Sequence, residues 1–294
     1  MTRRTIRIAH SPDADDAFMF YALSAGRIDT PGYEFVHVLQ DIETLNRAAL
    51  EGVYEVTACS IHAYPYLADR YALLNAGASM GEGYGPVVVA REALAGDALA
   101  AATIAVPGTL TSAYLALSLW LPGAKTVTVP FDEILPAVRE AREVDGAPVD
   151  AGVVIHEGQL TYADLGLRKV VDLGEWWAST TGLPLPLGGN AIRRDLGPAV
   201  MCEVATLVRE SIGWALEHRA EALEHALGYG RGLTPEQASR FVGMYVNART
   251  LDYGPDGHEA VQRFLDEGAA AGIIDRRVVV QFVGVDEPAE SPPA

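Results

Sequence analysis

The amino-acid sequence predicts an α/β fold, and three features of the chain indicate it. Short apolar runs rich in β-branched residues alternate with amphipathic stretches from Thr5 to Leu173, the pattern of strands joined by helices. Polar turns follow several of these runs, at the strand ends where open α/β sheets bind ligands. From Leu196 onward the pattern changes to long amphipathic helices. The 294 residues, 49% hydrophobic, suffice for one large or two medium domains.

The first predicted unit is a strand, a polar turn and a helix. Thr5–Ala9 alternates apolar and polar residues, and apolar positions at helical spacing predict a helix over Ala17–Ala25. Asp13, Asp15 and Asp16 precede that helix, where carboxylates cap the first turn and interact favourably with its dipole. Plain capping and a role in a site both remain open for these three residues.

Later segments continue the alternation. Glu92–Ala102 is rich in alanine and is predicted to be a connector. Gly77–Gly85 lacks the Gly-Lys-Ser/Thr ending of a phosphate loop and predicts a mobile or tightly turned segment beside a cleft. Gly182–Gly189 is rich in proline and predicts extended chain. Strands are predicted at Tyr33–Leu39, Glu55–Ser60, Pro86–Ala90, Thr103–Val106, Thr126–Val129, Ala151–Ile155 and Leu167–Leu173, and helices at Asp41–Leu50, Ser60–Tyr64, Thr111–Trp120, Asp132–Glu143 and Glu175–Thr181.

The C-terminal third carries clear helix signals. Thr234-Pro235-Glu236-Gln237 combines an N-cap Thr, a Pro at the first helical position and a Gln in the capping-box place. Gly254–Gly257 predicts a turn, with the next helix starting near His258. A last strand is predicted at Val278–Val285, and the Pro- and Glu-rich tail 286–294 is predicted to be disordered.

The charge balance excludes some classes of partner. There are 22 Lys and Arg against 39 Asp and Glu, a net charge of −17, which repels phosphate backbones and anionic lipids. We therefore expect no nucleic-acid or membrane partner, although backbone amides at a helix start can still hold a small anion. The N-terminus lacks a signal-peptide apolar region, and Cys59 and Cys202 are predicted to be small buried residues, with one disulfide still possible. A cytoplasmic protein is expected.

Two strand-end turns carry the candidate chemistry. Ala151–Ile155 predicts a buried strand that ends at His156, and an imidazole there is a candidate general base because its pKa lies near neutrality. A histidine that merely ends a strand is the alternative. Thr111 and Ser112 lie where a helix begins, which is a natural position for a ligand carboxylate; an N-cap without a ligand is the alternative there.

Other site classes lack their sequence signals. The chain contains no His-Glu-x-x-His, and His218 and His225 are seven residues apart on a predicted surface helix, so no metal site is expected. It also contains neither a Gly-x-Ser-x-Gly elbow nor a dinucleotide-binding fingerprint, which argues against a serine hydrolase and a nicotinamide enzyme. No cofactor is expected.

Six motifs, in order and with similar spacings from about Ile6 to Tyr253, resemble the 1,4-dihydroxy-6-naphthoate synthase family, the lyase of the futalosine route to menaquinone. These motifs are Ser11-Pro12-x-x-x-Asp16-x-Phe18-x-Phe20-Tyr21-Ala22-Leu23, Asp41-x-Glu43-Thr44-Leu45-Asn46-Arg47, Gly85-Pro86-x-Val88-Val89-Ala90-Arg91, Ile155-His156-Glu157, Val171-Asp172-Leu173-Gly174-x-Trp176-Trp177 and Thr181-Gly182-Leu183-Pro184-Leu185-Pro186-Leu187-Gly188.

The resemblance implies a two-domain fold like that of a periplasmic solute-binding protein, with the ligand in a cleft between the domains. Residues 1–91 together with 188–285 would form the larger domain, and residues 92–187 the smaller one. The implied substrate is cyclic dehypoxanthine futalosine, a carboxylated small molecule cleaved at a carbon–carbon bond to release 1,4-dihydroxy-6-naphthoate.

The resemblance also implies roles for particular residues. His156 matches the family's proton-accepting histidine, Thr111 and Ser112 match its paired hydroxyl residues, and Ser60 matches a serine on the third strand. Ala58 and Cys59, on that same strand, and Asp15, in the first turn, complete the expected substrate-binding set.

The chain departs from the family pattern at three places. Asp13-Ala14-Asp15 replaces the usual Cys-Pro-Asn, Ala58 replaces a lysine, and residues 143–148 lengthen the loop before the strand that ends at His156. Lost cations and added carboxylates weaken the binding of an anion. Two alternatives therefore stay open: a non-catalytic cytoplasmic binding protein with the same two-domain architecture, and chorismate dehydratase of the same route. The oligomeric state is not predicted.

Overall fold

The structure is a computed structural model that describes residues 3–230 and 233–284. Its strands are β1 (Arg4–His10), β2 (Tyr33–Leu39), β3 (Val56–Ser60), β4 (Tyr71–Leu74), β5 (Ser79–Gly81), β6 (Val87–Ala90), β7 (Thr103–Val106), β8 (Lys125–Thr128), β9 (Glu143–Val144), β10 (Ala147–Pro148), β11 (Ala151–Val154), β12 (Arg168–Asp172), β13 (Leu185–Arg193) and β14 (Phe282–Val283). Its helices are α1 (Ala14–Met19), α2 (Tyr21–Ser24), α3 (Ile42–Leu50), α4 (Tyr64–Leu67), α5 (Gly96–Ala101), α6 (Ser112–Trp120), α7 (Ile134–Glu140), α8 (Gly158–Thr161), α9 (Leu173–Thr181), α10 (Pro198–Glu217), α11 (Arg219–Leu227), α12 (Pro235–Tyr245), α13 (Ala248–Leu251) and α14 (Gly254–Ala270).

Two mixed sheets organise the described chain. The seven-stranded sheet has the order β14-β4-β13-β3-β1-β2, with β5 paired to β13, and the five-stranded sheet has the order β12-β6-β11-β7-β8. β1 runs parallel to β2 and β3, whereas β13 runs antiparallel to β3. In the second sheet β11 is parallel to β7 and antiparallel to β6. Parallel neighbours bring their carboxyl ends, and the turns that follow them, to one edge.

The strands of the five-stranded sheet come from the middle of the chain, and those of the other sheet come from before and after it. β6 lies before the expected boundary at residue 91 but pairs in the five-stranded sheet, so the chain changes sheet before that position. The division into the predicted domains 1–91 with 188–285 and 92–187 remains a prediction.

Gly152, on β11, is required by the close packing of α7 on the strand. A Cβ on Gly152 would lie 2.5 Å from Ile134 Cγ2 and 2.8 Å from Val138 Cγ2, closer than methyl groups can approach. Because Gly152 has no side chain, α7 packs directly on the sheet and the apolar pair on that helix is buried.

Several predicted helix boundaries were wrong. The first helix begins at Ala14 instead of Ala17, because Ala14, Asp15 and Asp16 are buried and form its first turn. The predicted connector contains α5, and α14 begins at Gly254, where a turn was predicted. α7 ends at Glu140, and the chain beyond it forms the hairpin of β9 and β10.

Other local predictions met mixed outcomes. The capping box at Thr234 is confirmed: its hydroxyl accepts a hydrogen bond from the Gln237 backbone, and the Gln237 side chain accepts one from the Thr234 backbone. Burial is confirmed for Cys59 but wrong for Cys202, which is exposed, and both thiols are free in the described chain. The last strand is only β14; Val285 and the tail 286–294 lie outside the described residues. None of the helices within the described ranges is long and apolar enough to cross a membrane.

Candidate active site

A cavity between the two sheets contains the chemistry-bearing turns. Its empty volume, including the part that opens to solvent, is about 750 Å³, a size that suits a small organic ligand. Residues that follow the ends of β1, β3, β7 and β11 line it, together with the start of β13 and the end of α12. All seven residues of the predicted site line this one cavity: Asp15, Ala58, Cys59, Ser60, Thr111, Ser112 and His156.

His156 stands just beyond the end of β11 in an unusual backbone conformation. Its φ is 53°, in the left-handed region that residues other than glycine seldom occupy. Its Nδ1 lies 2.9 Å from Oδ2 of Asp13, and the ring of Phe131 meets the imidazole edge-on at a centroid distance of 5.1 Å. The backbone and both neighbours therefore orient this ring toward a carboxylate on the opposite side of the cavity.

The acidic turn after β1 is buried in the cavity wall. Asp13 occupies the N-cap position of α1 but makes no side-chain cap hydrogen bond, so the capping interpretation is wrong for this residue. Burial, and then the charge of Asp13, raise the pKa of Asp15 and of Asp16 well above the usual carboxyl value. Asp16 accepts a hydrogen bond of 2.7 Å from the Ser11 amide. Oδ1 of Asp15 is buried and has no hydrogen-bond partner among the described residues.

Thr111 and Ser112 begin α6 as predicted, but their hydroxyl groups are engaged within the protein. The Thr111 hydroxyl donates to the Gly108 carbonyl at 2.7 Å and accepts from the Tyr114 amide at 3.2 Å. The Ser112 hydroxyl donates to the Leu187 carbonyl and accepts from the His62 amide at 3.2 Å. These contacts fix the start of α6 at the cavity wall, where backbone N–H groups and the helix dipole favour an anion.

The end of β3 supplies small and neutral groups. The Asn46 side chain holds Ser60 from both sides, accepting from its amide at 2.8 Å and donating to its hydroxyl oxygen at 3.0 Å. The Ser60 hydroxyl can therefore donate its own proton to a ligand. Burial raises the pKa of Cys59 to about 12, so its thiol stays protonated and is a poor nucleophile. Ala58 contributes only a methyl group to the cavity.

Several cavity residues were missed by sequence reasoning. Asn190 lies on β13; its amide donates to the Gly77 carbonyl at 3.2 Å, and its Oδ1 has no partner among the described residues. Gln159, on α8, accepts a hydrogen bond of 2.8 Å from the hydroxyl of Tyr245, on α12. Polar residues inside an extended run or on a helix carry no local signal of a site, because only the packing of distant elements brings them to the cavity.

Comparison with known sequences finds relatives that all belong to menaquinone biosynthesis. A sequence profile described as "Menaquinone biosynthesis" matches residues 6–270. A 1,4-dihydroxy-6-naphthoate synthase from Thermus thermophilus is 44% identical over 268 residues, 91% of this chain and 95% of the relative. A synthase of the same name from Streptomyces coelicolor is 39% identical over 281 residues, 93% of this chain and 96% of the relative. The resemblance identified from the six motifs is confirmed.

Solved structures confirm the predicted fold class. A protein from Archaeoglobus fulgidus, 50% identical, superposes with a TM-score of 0.86 over 92% of this chain and 98% of its own. The alkanesulfonate-binding protein of Xanthomonas axonopodis, 15% identical, reaches a TM-score of 0.66 over 95% of this chain and 98% of its own. A Candida albicans protein described as having the generic periplasmic binding protein fold reaches 0.65 over 98% and 100%. At such low identity the last two show the fold alone.

Proposed function

Because the chain belongs to the menaquinone biosynthesis family and is an enzyme whose curated relatives are lyases, we propose that it cleaves cyclic dehypoxanthine futalosine. The products would be 1,4-dihydroxy-6-naphthoate and the fragment beyond the broken carbon–carbon bond. The observation that carries the proposal is the ring of His156, held against Asp13 in a cavity between the two sheets.

His156 is suited to take a proton from a ligand. Nδ1 lies within hydrogen-bond distance of a carboxylate oxygen of Asp13. We therefore assign the ring proton to Nδ1, which donates a hydrogen bond to Asp13. The lone pair is then on Nε2, the nitrogen that a general base uses. The imidazole side chain is 19% exposed, and its residue lines the cavity, so a bound ligand can reach it.

The carboxylate of the substrate would be held by neutral donors. Among the described residues that line the cavity there is neither a lysine nor an arginine. Neutral donors at the cavity wall include the N–H groups at the start of α6 and the hydroxyl proton of Ser60. Backbone amides at a helix N-terminus bind carboxylates without a cationic side chain, which fits the loss of the lysine at position 58.

The proposed step needs one base and conserves its protons. His156 takes a proton from the substrate, and the electron pair left behind forms a new π bond as the carbon–carbon bond breaks. The electron pair of the broken bond stays on the other fragment, which takes up one proton, so no net proton is gained or lost. Aromatisation of the released ring system favours the products, while the cavity orients the substrate.

The first test is turnover of cyclic dehypoxanthine futalosine by the purified protein, with detection of 1,4-dihydroxy-6-naphthoate. His156→Ala should lower kcat by about 10²- to 10⁴-fold, the usual contribution of a general base, while ligand binding persists. His218→Ala is the matched control, because this exposed histidine stacks on Trp214 outside the cavity. Full activity of the His156 variant would remove this residue from the mechanism.

The extra carboxyl groups of Asp13 and Asp15 in the cavity weaken the binding of an anionic substrate, so binding is measured together with turnover. Binding of the futalosine derivative without any product from the wild-type protein would exclude this lyase reaction. Chorismate, incubated in parallel, tests the remaining alternative of a dehydratase.

A further inference from the structure

The contact between Asp13 and His156 crosses the cavity. Asp13 comes from the turn after β1, in the seven-stranded sheet, whereas His156 follows β11 of the five-stranded sheet. The Asp13 side chain is only 3% exposed, so solvent screens its contact with the imidazole weakly. A hydrogen bond between a buried carboxylate and a ring N–H is directional and restricts rotation of the ring.

Several acidic groups lie in the part of the cavity that contains the imidazole of His156, and Asp13 differs from the others because its carboxyl group faces Nδ1. Asp16, from α1, interacts electrostatically with His156, Asp15 lies beside it in the same cavity wall, and Glu157 is the next residue in the chain. Burial and then the charge of Asp13 raise the pKa of Asp15 and of Asp16, which favours the protonated form of these two carboxyls. A side-chain hydrogen bond joins Asp15 to Asp13. Asp13 is the carboxyl group that faces Nδ1 of His156, at 2.9 Å.

We propose that Asp13 is a positioning residue, which fixes the His156 imidazole with Nδ1 protonated and Nε2 directed at the substrate. This inference rests on the proposed role of His156 as the general base. Asp13 does not touch the reacting atoms. It acts through the ring, by selecting the tautomer and by stabilising the positive charge that the ring gains when it takes the proton.

Asp13→Asn tests the role of the negative charge beside His156, because it replaces the carboxyl group by an amide of almost the same shape. We expect kcat to fall roughly 10- to 100-fold, the loss that corresponds to one hydrogen bond to a charged group, while KM changes less than about threefold. The acidic limb of the kcat/KM profile should move to lower pH, because an imidazolium without the carboxylate loses its proton more readily. Asp13→Glu, which keeps the charge, should recover part of kcat.

Asp97→Asn is the matched control, since this aspartate is exposed on α5 and lies outside the cavity. Its kcat and pH profile should match those of the wild type. A purely structural role for Asp13 would lower the yield of folded enzyme but leave the pH profile of the remaining activity unmoved. Wild-type kcat and pH profile in Asp13→Asn would overturn the proposal.

A spectroscopic measurement separates this inference from the proposed function. Nitrogen-15 NMR of the histidine rings reports which nitrogen carries the proton, whether or not the enzyme turns over the futalosine derivative. We expect His156 to be protonated on Nδ1 in the wild type and to lose this preference in Asp13→Asn. An Nε2-protonated ring in the wild type would refute the inference even if the lyase activity is present.

Discussion

At the scale of single residues, the cavity is defined by carboxyl groups whose ionisation depends on burial. Asp15 is the second residue of α1. At that position the helix dipole normally stabilises an ionised carboxylate. Its side chain instead lies in the cavity wall beside Asp13, and its Oδ1 has no hydrogen-bond partner among the described residues. The same residue type at a surface helix start would be ionised; here the desolvation cost favours the protonated form.

Asp15→Asn should therefore change stability in a pH-dependent way. The raised pKa means that the folded protein still binds this proton at pH values where the unfolded chain has released it. The contribution of Asp15 to stability is thus greatest below the usual carboxyl pKa of 3.8 and is lost as pH rises toward the raised value. We expect the melting temperature of Asp15→Asn, relative to the wild type, to increase between about pH 4 and pH 8.

A second aspartate provides a control of opposite sign. A hydrogen bond from Arg249 lowers the pKa of Asp256, so its contribution to stability is present above the usual carboxyl pKa and is lost as pH falls. Asp256→Asn should be less stable than the wild type near neutrality, with the difference shrinking in acid. A pH-independent difference for Asp15→Asn would contradict the proposed protonation of Asp15.

At the scale of elements, the helix starts show which local signals are reliable. The capping box of α12 forms because Thr234 and Gln237 satisfy each other's backbone amides without any distant partner. A helix is predicted from Asp132, where an acidic residue would cap its start, but Asp132 lies inside a short 3₁₀ turn, Phe131–Glu133, and neither that turn nor α7 has a side-chain cap hydrogen bond. The first signal has two reciprocal parts, and the second is a single acidic residue.

Alanine variants of Thr234 and Asp132 compare the stability that each residue contributes to the start of its helix. Thr234→Ala should lower the free energy of unfolding by about 1 kcal/mol, the typical loss of an N-cap side chain. Asp132→Ala should change it by less than about 0.5 kcal/mol, as expected for an exposed residue without a cap bond. Urea denaturation of both variants checks this, and equal losses would show that the cap of α12 adds nothing.

At the scale of the whole molecule, a few contacts bridge the cavity between the two sheets. Tyr245, at the end of α12, donates a hydrogen bond of 2.8 Å to Gln159, on α8 after β11. Both residues line the cavity, and burial raises the pKa of Tyr245, so its hydroxyl remains a donor. This contact, like that between Asp13 and His156, stabilises the arrangement in which both halves of the cavity face one ligand.

Tyr245→Phe should weaken that arrangement without removing the ring. The loss of one neutral hydrogen bond corresponds to about 0.5–1.5 kcal/mol, so we expect KM to rise roughly two- to tenfold. Gln159→Ala should have a similar effect, and the double variant should be no worse than either single one if the two residues act through the same contact. Steady-state kinetics on all three variants provide the measurement.

Tyr253→Phe is the corresponding control. This tyrosine is fully buried, and its hydroxyl has no hydrogen-bond partner within the described ranges. Removal of that hydroxyl should leave KM unchanged. If the double variant at positions 159 and 245 shows the sum of two independent losses, the direct contact is not what couples the two sides.

Much of the fold could be predicted because its signals are local. Apolar runs, prolines, glycines and capping residues act within a few positions, so the strands β2, β3, β7 and β11 and the helices α3 and α6 fall close to where the patterns predict them. The predicted site residues, at the ends of β1, β3, β7 and β11, line one cavity, because the parallel neighbours within each sheet bring their carboxyl ends to one edge.

The sequence by itself determined the alternation of strands and helices, the strand that ends just before His156 and the capping box at Thr234. Only the tertiary structure decided that Asp13 faces His156 instead of capping a helix, that α1 begins at Ala14, and that Asn190 reaches the cavity. The physical reason is burial: desolvation and contact between distant elements decide what a polar side chain does, and neither is encoded within a few residues of it.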